Sequence, residues 1–494
     1  MGGIPGSARP EAGVLPQRPH RPVEEIAEYR APRRIWAGCL RDRNGGTRRA
    51  SPAREVIGTR PGTGHTGVVD RIIVNPSGPL SGTVRAGGAK NSVLKLMAAC
   101  LLAEGRHVLT NVPRISDVGI MTEVLESMGA EVTRGSRPDE LVVTTPAVLV
   151  PEAPYELVEQ MRASVVVLGP LLARCGWARV SMPGGDDFGP RPIDMHLRAL
   201  ESLGAEFTSS HGNVEGRVES SVAGAPRLVG NRVVLEYPSH TGTDNVLMAA
   251  VLAKGTTVIE NAAREPEVRD LADFLNAMGA RITGAGTSRI EVEGVDRLEP
   301  TTHAVIPDRL VVATFLVAAG LTGGNVLVED GRPEHMDMLL RKLTATGMEL
   351  TYEPGGLRAS AAGMGRLRST DVATLPYPGF ATDYKPLFVT LLTVTEGVGI
   401  VTENLFFGRF RYVEELRRMG ADIRTEGHHA VVRGVGRLSG AKVRAFDVRA
   451  GAALVLAGLV ADGETIVSDA HHVDRGYEDL DGKLASLGAS VVRG

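Results

Sequence analysis

A tag of small residues with glycine in its third position recurs six times along this chain at nearly equal spacing. The tags are SMGA, SLGA (twice), AMGA, ATGM and RMGA, and their glycines are Gly129, Gly204, Gly279, Gly347, Gly420 and Gly488. Successive glycines are 68 to 75 residues apart. Internal similarity with a fixed period is typical of a fold built from repeated supersecondary units, so the sequence predicts six copies of one unit.

A second series of features has a similar period. Six apolar segments each end in a glycine, at Gly105, Gly176, Gly255, Gly323, Gly397 and Gly463. The segments are hydrophobic nearly all round, which predicts buried helices capped by glycine. A β-branched strand, an amphipathic helix such as 115–130 and one or two further strands follow in each unit.

These patterns predict an α/β fold of two bodies with three units each. At 494 residues the chain exceeds a single typical core. Body 2 is expected to comprise residues 91–304. Body 1 is expected to comprise residues 305–494 together with 69–90, which would pair into it.

Basic residues stand where several of the buried helices begin. Lys90, Arg162, Arg309 and Arg449 hold this position in four units, and Asp383 and Ser239 hold it in the other two. Helix N-termini attract anions, so basic side chains there go against the usual preference. If the two bodies face each other, these ends would form an anion site in the cleft between them. The alternative is that these residues are solvated ends of ordinary helices.

Composition limits the class of protein. The net charge is −3 and the longest apolar runs are too short to span a bilayer, so we expect neither nucleic acid nor a membrane as a partner. Three cysteines, at 39, 100 and 175, favour a reducing cytoplasmic compartment without disulfides. No spacing typical of a metal site appears.

Residues 1–68 differ from the rest, with 12 Arg, no Lys and a net charge of +6. This segment, rich in Arg, Pro and Gly, is predicted to be disordered. Three interpretations are open. The segment is either a tail without a binding role, or sequence upstream of the true translation start, or a basic arm that binds an anionic partner.

The segment PGGDDFGPRP, residues 183–192, combines glycines and prolines with Asp186, Asp187 and Arg191. Glycine permits a loop to swing and proline stiffens its ends. The carboxylates are either solvated turn residues or a reactive group on a mobile lid.

A set of ordered motifs resembles the enolpyruvyltransferase family, in its sugar-nucleotide branch, over residues 70–494. The motifs are GGAKNSVLKLMAACLLAEG (87–105), MRASVVVLGPLLAR (161–174), PGGDDFGPRPIDMH (183–196), IENAAREPEV (259–268), PDRLVVATF (307–315), PGFATDYKP (378–386), TENLFFGRF (402–410), FDVRAGAALVLAGL (446–459) and HHVDRGYE (471–478). The resemblance implies two domains, each an inside-out α/β barrel of three units, with the active site between them.

The resemblance also implies an activity. The family's branch transfers the enolpyruvyl group of phosphoenolpyruvate to the 3-hydroxyl of UDP-N-acetylglucosamine and releases phosphate, the first committed step of peptidoglycan precursor synthesis. The expected partners are these two small molecules, and the chemistry requires no cofactor and no metal. A paralogue acting on another nucleotide acceptor in secondary metabolism, and an inactive precursor-binding regulator, are the alternatives.

Site residues are carried over by matching the motifs. The resemblance implies catalytic roles for Asp186, Asp383 and Lys90, with Asp383 as the base for the sugar hydroxyl. Phosphate would be held by Lys90, Arg191 and Arg475, and the carboxylate by Arg409 and Arg449. Further positions lining the cleft are Asn91, Arg162, Asp194, His196 and Ser239.

Two departures from the family pattern bear on function. Most relatives have Cys where this chain has Asp186. Since a free Asp has a pKa of about 3.9, we expect lid closure to bury Asp186 and raise its pKa. The segment SHTGT (239–243) corresponds to one that contacts the uridine nucleotide in relatives. His240 and Thr241 stand there in place of residues that are usually small or apolar. One interpretation is lineage variation in a protein that still binds the uracil nucleotide. The other is a paralogue that acts on a different acceptor.

The Asp at position 186 predicts insensitivity to fosfomycin, which alkylates the loop cysteine in relatives. A carboxylate is not alkylated as a thiolate is. Intact-mass spectrometry after prolonged incubation is expected to show no adduct on the wild-type chain and one adduct on Asp186→Cys. A time-dependent adduct on the wild-type loop would contradict the prediction.

Overall fold

The computed structural model describes residues 70–182, 184, 192–219, 226–406 and 408–494. The predicted extension 1–68 and most of the loop 183–192, including Asp186 and Arg191, lie outside these residues. The described strands, in chain order, are β1 (Arg71–Asn75), β2 (Ser81–Arg85), β3 (Gly105–Thr110), β4 (Glu131–Arg134), β5 (Leu141–Thr145), β6 (Glu152–Ala153), β7 (Trp177–Ser181), β8 (Ala205–Ser210), β9 (Asn213–Val218), β10 (Arg232–Val234), β11 (Thr256–Glu260), β12 (Arg281–Thr283), β13 (Arg289–Glu293), β14 (Thr302–Ala304), β15 (Asn325–Glu329), β16 (Glu349–Glu353), β17 (Gly356–Ser360), β18 (Val372–Ala373), β19 (Val398–Thr402), β20 (Asp422–Glu426), β21 (His429–Arg433), β22 (Leu438–Ser439), β23 (Lys442–Arg444), β24 (Ala461–Asp462), β25 (Thr465–Ser468) and β26 (Ser490–Arg493).

The helices alternate between buried apolar ones and amphipathic ones. In chain order they are α1 (Lys90–Ala99), α2 (Ser116–Ser127), α3 (Tyr155–Val158), α4 (Leu168–Cys175), α5 (Asp194–Glu201), α6 (His240–Ala250), α7 (Pro266–Ala277), α8 (Arg309–Thr322), α9 (Asp337–Ala345), α10 (Lys385–Leu392), α11 (Tyr412–Arg418), α12 (Val448–Gly458), α13 (His471–Asp474) and α14 (Leu480–Ser486). Short 3-10 turns span Cys100–Leu102, Arg162–Val167, Pro333–His335 and Thr382–Tyr384.

One strand topology recurs in six four-stranded sheets of the described chain. The strand that follows each buried helix has one parallel neighbour and one antiparallel neighbour, and a second antiparallel strand completes the sheet. The strand orders are β14-β3-β5-β4, β6-β7-β9-β8, β10-β11-β13-β12, β2-β15-β17-β16, β18-β19-β21-β20 and β23-β25-β1-β26. The repeated unit predicted from the glycine spacing is therefore present in the structure.

Two separate clusters of buried apolar side chains lie behind these sheets. One extends from Ala89 to Val305. The other joins residues 72–86 to residues 310–491. Strand β1 pairs with β25 and β26, and β2 pairs with β15, so the N-terminal strands complete two sheets of the second cluster. We keep the division into body 1 and body 2 as a proposal, which these two cores support.

Local signals explain the limits of the longest buried helix. Helix α8 is apolar on every face, and its interior is almost wholly buried. It ends at Gly323, which adopts a left-handed φ of 65° that suits glycine. Asp308 caps its beginning, because the side chain accepts from the backbone N–H of Leu310 at 2.7 Å and of Val311 at 3.1 Å.

The Asp308 side chain also joins helices of the two apolar clusters. Its Oδ2 accepts from the backbone N–H of Lys90 at 3.0 Å, the first residue of α1. One carboxylate therefore caps both α1 and α8. Across the described residues, no helix combines the length and the apolarity needed to cross a membrane.

This double cap predicts an unequal cost for two otherwise matched substitutions. Asp308→Ala is expected to lower the free energy of unfolding by about 2 kcal/mol, because caps on two helices are lost. Asp447→Ala removes the cap of α12 alone and is expected to cost about 1 kcal/mol. Urea unfolding followed by circular dichroism measures both values. Equal losses would contradict the assignment of a shared cap.

Candidate functional site

A cavity of about 320 Å³ lies between the two bodies, at the N-terminal ends of the buried helices. Most of the predicted site residues line it. From the segment 90–265 come Lys90, Asn91, Arg162 and Ser239. From the segment 309–475 come Asp383, Arg409, Arg449 and Arg475. The structure thus brings together eight predicted residues that lie up to 385 positions apart in the chain.

Other predicted site residues stand apart from this group. Asp194 is exposed at the start of α5 and forms an ion pair of 2.5 Å with Arg198, and it does not line the cavity. His196 is buried behind the cleft, where its Nδ1 lies 2.9 Å from the side-chain nitrogen of Asn245. Burial lowers the pKa of His196 to about 4, so it is neutral near pH 7. Asp186 and Arg191 lie outside the described residues.

Asp117, which no sequence motif indicates, contacts two of the predicted phosphate cations. The Lys90 ammonium lies 2.8 Å from Asp117 Oδ2, and the Arg475 Nε lies 2.9 Å from Asp117 Oδ1. Burial alone would raise the pKa of Asp117, but the charges of Lys90 and Arg475 outweigh it and lower the pKa. Asp117 is therefore a charged partner for both cations. In the sequence it reads as an ordinary acidic residue in the first turn of a helix.

The predicted base, Asp383, lies among arginines. Arg409 Nη1 lies 2.7 Å from Asp383 Oδ1, and Arg449 and Arg309 add positive charge nearby. Burial would raise the pKa of Asp383, but these three cations lower it well below its usual range. Asp383 is thus an ionised carboxylate that accepts from Arg409.

Buried polar groups fix the arginine that contacts this base. Lys385 donates to the backbone carbonyl of Arg409 at 2.5 Å and forms an ion pair of 2.8 Å with Glu403. Glu403 also accepts from the Thr382 hydroxyl at 2.7 Å, and that hydroxyl accepts from Arg409 Nη1 at 3.1 Å. Burial lowers the pKa of Lys385 to about 8.

Arg449 has an unused donor in the cleft. Its guanidinium carbon lies 5.0 Å from the centre of the Tyr477 ring. Its Nη1 is buried and has no hydrogen-bond partner among the described residues. A buried donor without a partner is costly, so an anionic ligand at this point would satisfy it.

Arg309 lines the cleft but already has a strong partner. Its Nε and Nη2 donate to the two oxygens of Glu267 at 2.9 and 3.3 Å, across the boundary between the bodies. Burial would raise the pKa of Glu267, but Arg309 outweighs it and holds that pKa at about 2. Arg309 therefore lines the cavity and also joins the two apolar cores through Glu267.

A further charged cluster forms part of the wall near α6. The Lys95 ammonium lies 2.9 Å from Asp244 Oδ2 and 2.6 Å from His240 Nε2. Lys95 and Asp244 are almost fully buried, whereas the His240 side chain is 21% exposed and lines the cavity. The sequence singled out His240 but gave no signal for its contact with Lys95, 145 positions away.

Comparisons with known proteins agree with this architecture. The family model described as EPSP synthase (3-phosphoshikimate 1-carboxyvinyltransferase) matches residues 74–484. The solved structure of the enolpyruvyl transferase NikO from Streptomyces tendae superposes with a TM-score of 0.77 at 24% identity, covering 86% of this chain and 99% of that one. The EPSP synthase of Acinetobacter baumannii superposes with a TM-score of 0.67 at 19% identity, covering 86% and 100%. The predicted fold class is confirmed.

Relatives of higher identity are named UDP-N-acetylglucosamine 1-carboxyvinyltransferase. One from Caldanaerobacter subterraneus subsp. tengcongensis is 48% identical over 86% of this chain and 99% of its own length. One from Myxococcus xanthus is 50% identical over the same shares, and one from Nocardia farcinica is 50% identical over 86% and 98%. The chain therefore belongs to the EPSP synthase family of enolpyruvyltransferases, alongside relatives that carry the UDP-N-acetylglucosamine 1-carboxyvinyltransferase name.

Proposed function

We propose that this enzyme transfers the enolpyruvyl group of phosphoenolpyruvate to the 3-hydroxyl of UDP-N-acetylglucosamine, with release of phosphate. One observation carries the proposal: Lys90, Arg409, Arg449 and Arg475 line a single cavity together with the carboxylate of Asp383. Phosphoenolpyruvate carries up to three negative charges on a small frame, and several converging cations suit it. The names of relatives with 48–50% identity support the same acceptor.

The reaction is an addition followed by an elimination. A proton adds to C3 of the enol, and the sugar oxygen forms a bond to C2 as its own proton passes to a base. In the second stage C3 loses a proton and the C2–O bond to phosphate breaks, which restores the double bond. Each stage requires a proton carrier near C3, and we assign that role to Asp186. The acceptor hydroxyl requires a base, and we assign that role to Asp383.

A protein carboxylate lies beside the cations that we assign to the phosphate. Lys90 and Arg475 would bind the phosphate together with Arg191, but both contact Asp117 in the described structure. An ammonium has three donors and a guanidinium has five, so each can serve Asp117 and a phosphate oxygen together. Asp117 would then hold the two cations at a fixed separation before phosphate arrives.

The positive charge around Asp383 also determines how strong a base this carboxylate is. A carboxylate whose pKa is lowered by Arg409 is a weak base. A substrate carboxylate bound between Arg409 and Arg449 would cancel part of their charge and raise the pKa of Asp383. We infer that Asp383 becomes an effective base only after phosphoenolpyruvate binds.

The remaining assignments concern binding. Asn91, Arg162 and Ser239 line the same cavity and are proposed to contact the substrates. Asp194 is proposed as a substrate-binding residue from its motif match alone. The reaction is placed in the cytoplasm, which is consistent with the unpaired Cys100 and Cys175.

Phosphate release from phosphoenolpyruvate tests the proposal. Release is expected with UDP-N-acetylglucosamine and not without an acceptor. Asp383→Asn is expected to lower kcat by about 10²- to 10⁴-fold with the KM values within about threefold, because a base is lost while its shape is kept. Asp296→Asn, at a side chain 96% exposed, is the matched control and should change neither constant. Release only with another nucleotide would favour a changed acceptor, and binding without turnover would favour a regulator.

Glu265, which lines the cavity, predicts a pH dependence of stability. Burial raises the pKa of this carboxyl to about 7, with Arg309 opposing the shift. The folded state therefore binds the proton more tightly than the unfolded state, whose Glu pKa is about 4.3. The contribution of Glu265 to stability is thus fully present below about pH 4 and is lost as the pH rises towards 7.

Glu265→Gln keeps the neutral shape at every pH. The melting temperature of the variant minus that of the wild type is expected to be more positive at pH 8 than at pH 5. Differential scanning calorimetry measures it, and Glu299→Gln, at a side chain 63% exposed, is the control. A difference that falls between pH 5 and 8 would contradict the assignment.

A further inference from the structure

The cluster of Lys95, His240 and Asp244 is not used by the reaction as proposed. Lys95 belongs to α1 and the other two residues belong to α6, so the cluster joins two buried helices. His240 and Lys95 both line the cavity, but Lys95 is only 3% exposed whereas the His240 side chain is 21% exposed, and Asp244 lies behind them. The position of His240 in the wall of the acceptor's cleft makes a role in acceptor recognition testable, and that role rests on the proposed function.

The contacts of Lys95 determine where His240 carries its proton. An ammonium group donates hydrogen bonds and cannot accept them. Since the Lys95 Nζ lies 2.6 Å from His240 Nε2, Nε2 must be the acceptor. A neutral imidazole has one N–H, so the hydrogen lies on Nδ1.

The Nδ1–H group is available to a ligand. Within the described chain it has no hydrogen-bond partner, and it is not among the buried polar atoms that lack one. It is therefore an accessible donor on a ring that lines the cavity. The ring also occupies the first turn of the 11-residue helix α6, after the cap at Ser239, where partial positive charge favours an electron-rich ligand atom.

The charge state of the ring indicates which substrate atom it suits. Burial and the neighbouring Lys95 charge lower the pKa of His240 well below its ordinary value, so the ring is neutral. The groups that face it from the packed elements are Lys95 of α1, Asp244 of α6, Glu267 of α7, Arg309 of α8 and Asp383 of the turn Thr382–Tyr384. A neutral donor adds nothing to the charge that holds a trianion, but it pairs well with an uncharged carbonyl oxygen, which only accepts.

We propose that His240 is a specificity-determining residue, whose Nδ1–H donates to a carbonyl oxygen of the nucleotide sugar, and that Lys95 is the positioning residue that fixes this tautomer. The acceptor substrate offers two such sources, the acetamido carbonyl and the carbonyls of the base. A site built to donate to a carbonyl rejects a ligand without one, because the donor is left unpaired.

Steady-state kinetics test the role of His240. His240→Leu removes the donor, and the KM for UDP-N-acetylglucosamine is expected to rise about tenfold, with kcat and the KM for phosphoenolpyruvate within about threefold. His240→Asn keeps an N–H near the place of Nδ1 and is expected to recover most of the loss. His429→Leu, at an exposed histidine on β21, is the control and should change nothing. An unchanged acceptor KM in His240→Leu, or an equal rise for both substrates, would overturn the proposal.

Binding of UDP-glucose, measured by calorimetry, separates the two carbonyl sources. UDP-glucose keeps the base and lacks the acetamido group. If the His240→Leu penalty is absent for UDP-glucose, the partner is the acetamido carbonyl. If the penalty persists, the partner is a carbonyl of the base. Both results support the donor role, whereas no penalty for either ligand overturns it.

The positioning role of Lys95 has a separate readout. Lys95→Met alone would leave Asp244 buried without a cation, so the balanced variant Lys95→Met with Asp244→Asn is used. Long-range ¹H–¹⁵N correlation spectra, with His240 assigned from His240→Asn, are expected to show one Nδ1–H tautomer in the wild type between pH 5.5 and 8. Both tautomers are expected in the double variant, together with a raised acceptor KM. An Nε2–H tautomer in the wild type, or a single unchanged tautomer in the double variant, would overturn the inference.

These measurements distinguish a failure of the proposed function from a failure of the inference about His240. No phosphate release by the wild type with UDP-N-acetylglucosamine would overturn the proposed function, and this inference with it. Turnover by the wild type with an unaltered acceptor KM in His240→Leu would overturn the inference alone.

Discussion

The buried charge of the cleft is the constraint on which the rest of this structure depends. The beginnings of the buried helices meet there, and lysine and arginine side chains stand at several of them. Removing such cations from water is costly unless each finds a counter-charge. The protein supplies one nearly everywhere: Asp117 for Lys90 and Arg475, Glu267 for Arg309, and Asp383 for Arg409. The carboxylates thereby make an electropositive cleft compatible with folding.

These carboxylates differ in what they do once a substrate arrives. Glu267 forms a two-point contact with Arg309 across the bodies, and both groups are almost fully buried, so this pair is part of the scaffold. Asp117 contacts both Lys90 and Arg475 and so fixes their separation. Asp383 is more exposed than its partner Arg409, at 27% against 4%, and therefore lies where a hydroxyl can reach it. A carboxylate in this cleft therefore joins the bodies, separates two cations or acts as a base. Its role depends on its burial and on the number of cations around it.

The repeated unit was predictable because its signals are local. The glycine that ends an apolar helix and the strand that follows it lie within one stretch of about 70 residues. Gly176 and Gly323 could therefore be assigned as helix ends before the fold was known. The cations could be found for the same reason, since Lys90 and Arg449 begin helices. Their partners could not, because Asp117 and Arg475 are 358 positions apart and only the assembled cleft brings them together. The exposed ion pair between Asp194 and Arg198 is likewise a contact that the motif match did not indicate.

The contact between Lys95 and His240 extends the same reasoning from charge to hydrogen-bond direction. Phosphoenolpyruvate can be recognised by its large negative charge. Arg449 offers a buried donor that such an anion would satisfy. A sugar nucleotide cannot be selected in this way, because much of it is uncharged and many nucleotides share its diphosphate. Discrimination then depends on donors and acceptors of fixed direction, and an imidazole free to exchange tautomers presents either. A buried ammonium that can only donate removes this freedom, so Lys95, acting through His240, determines which neutral atom the cleft accepts.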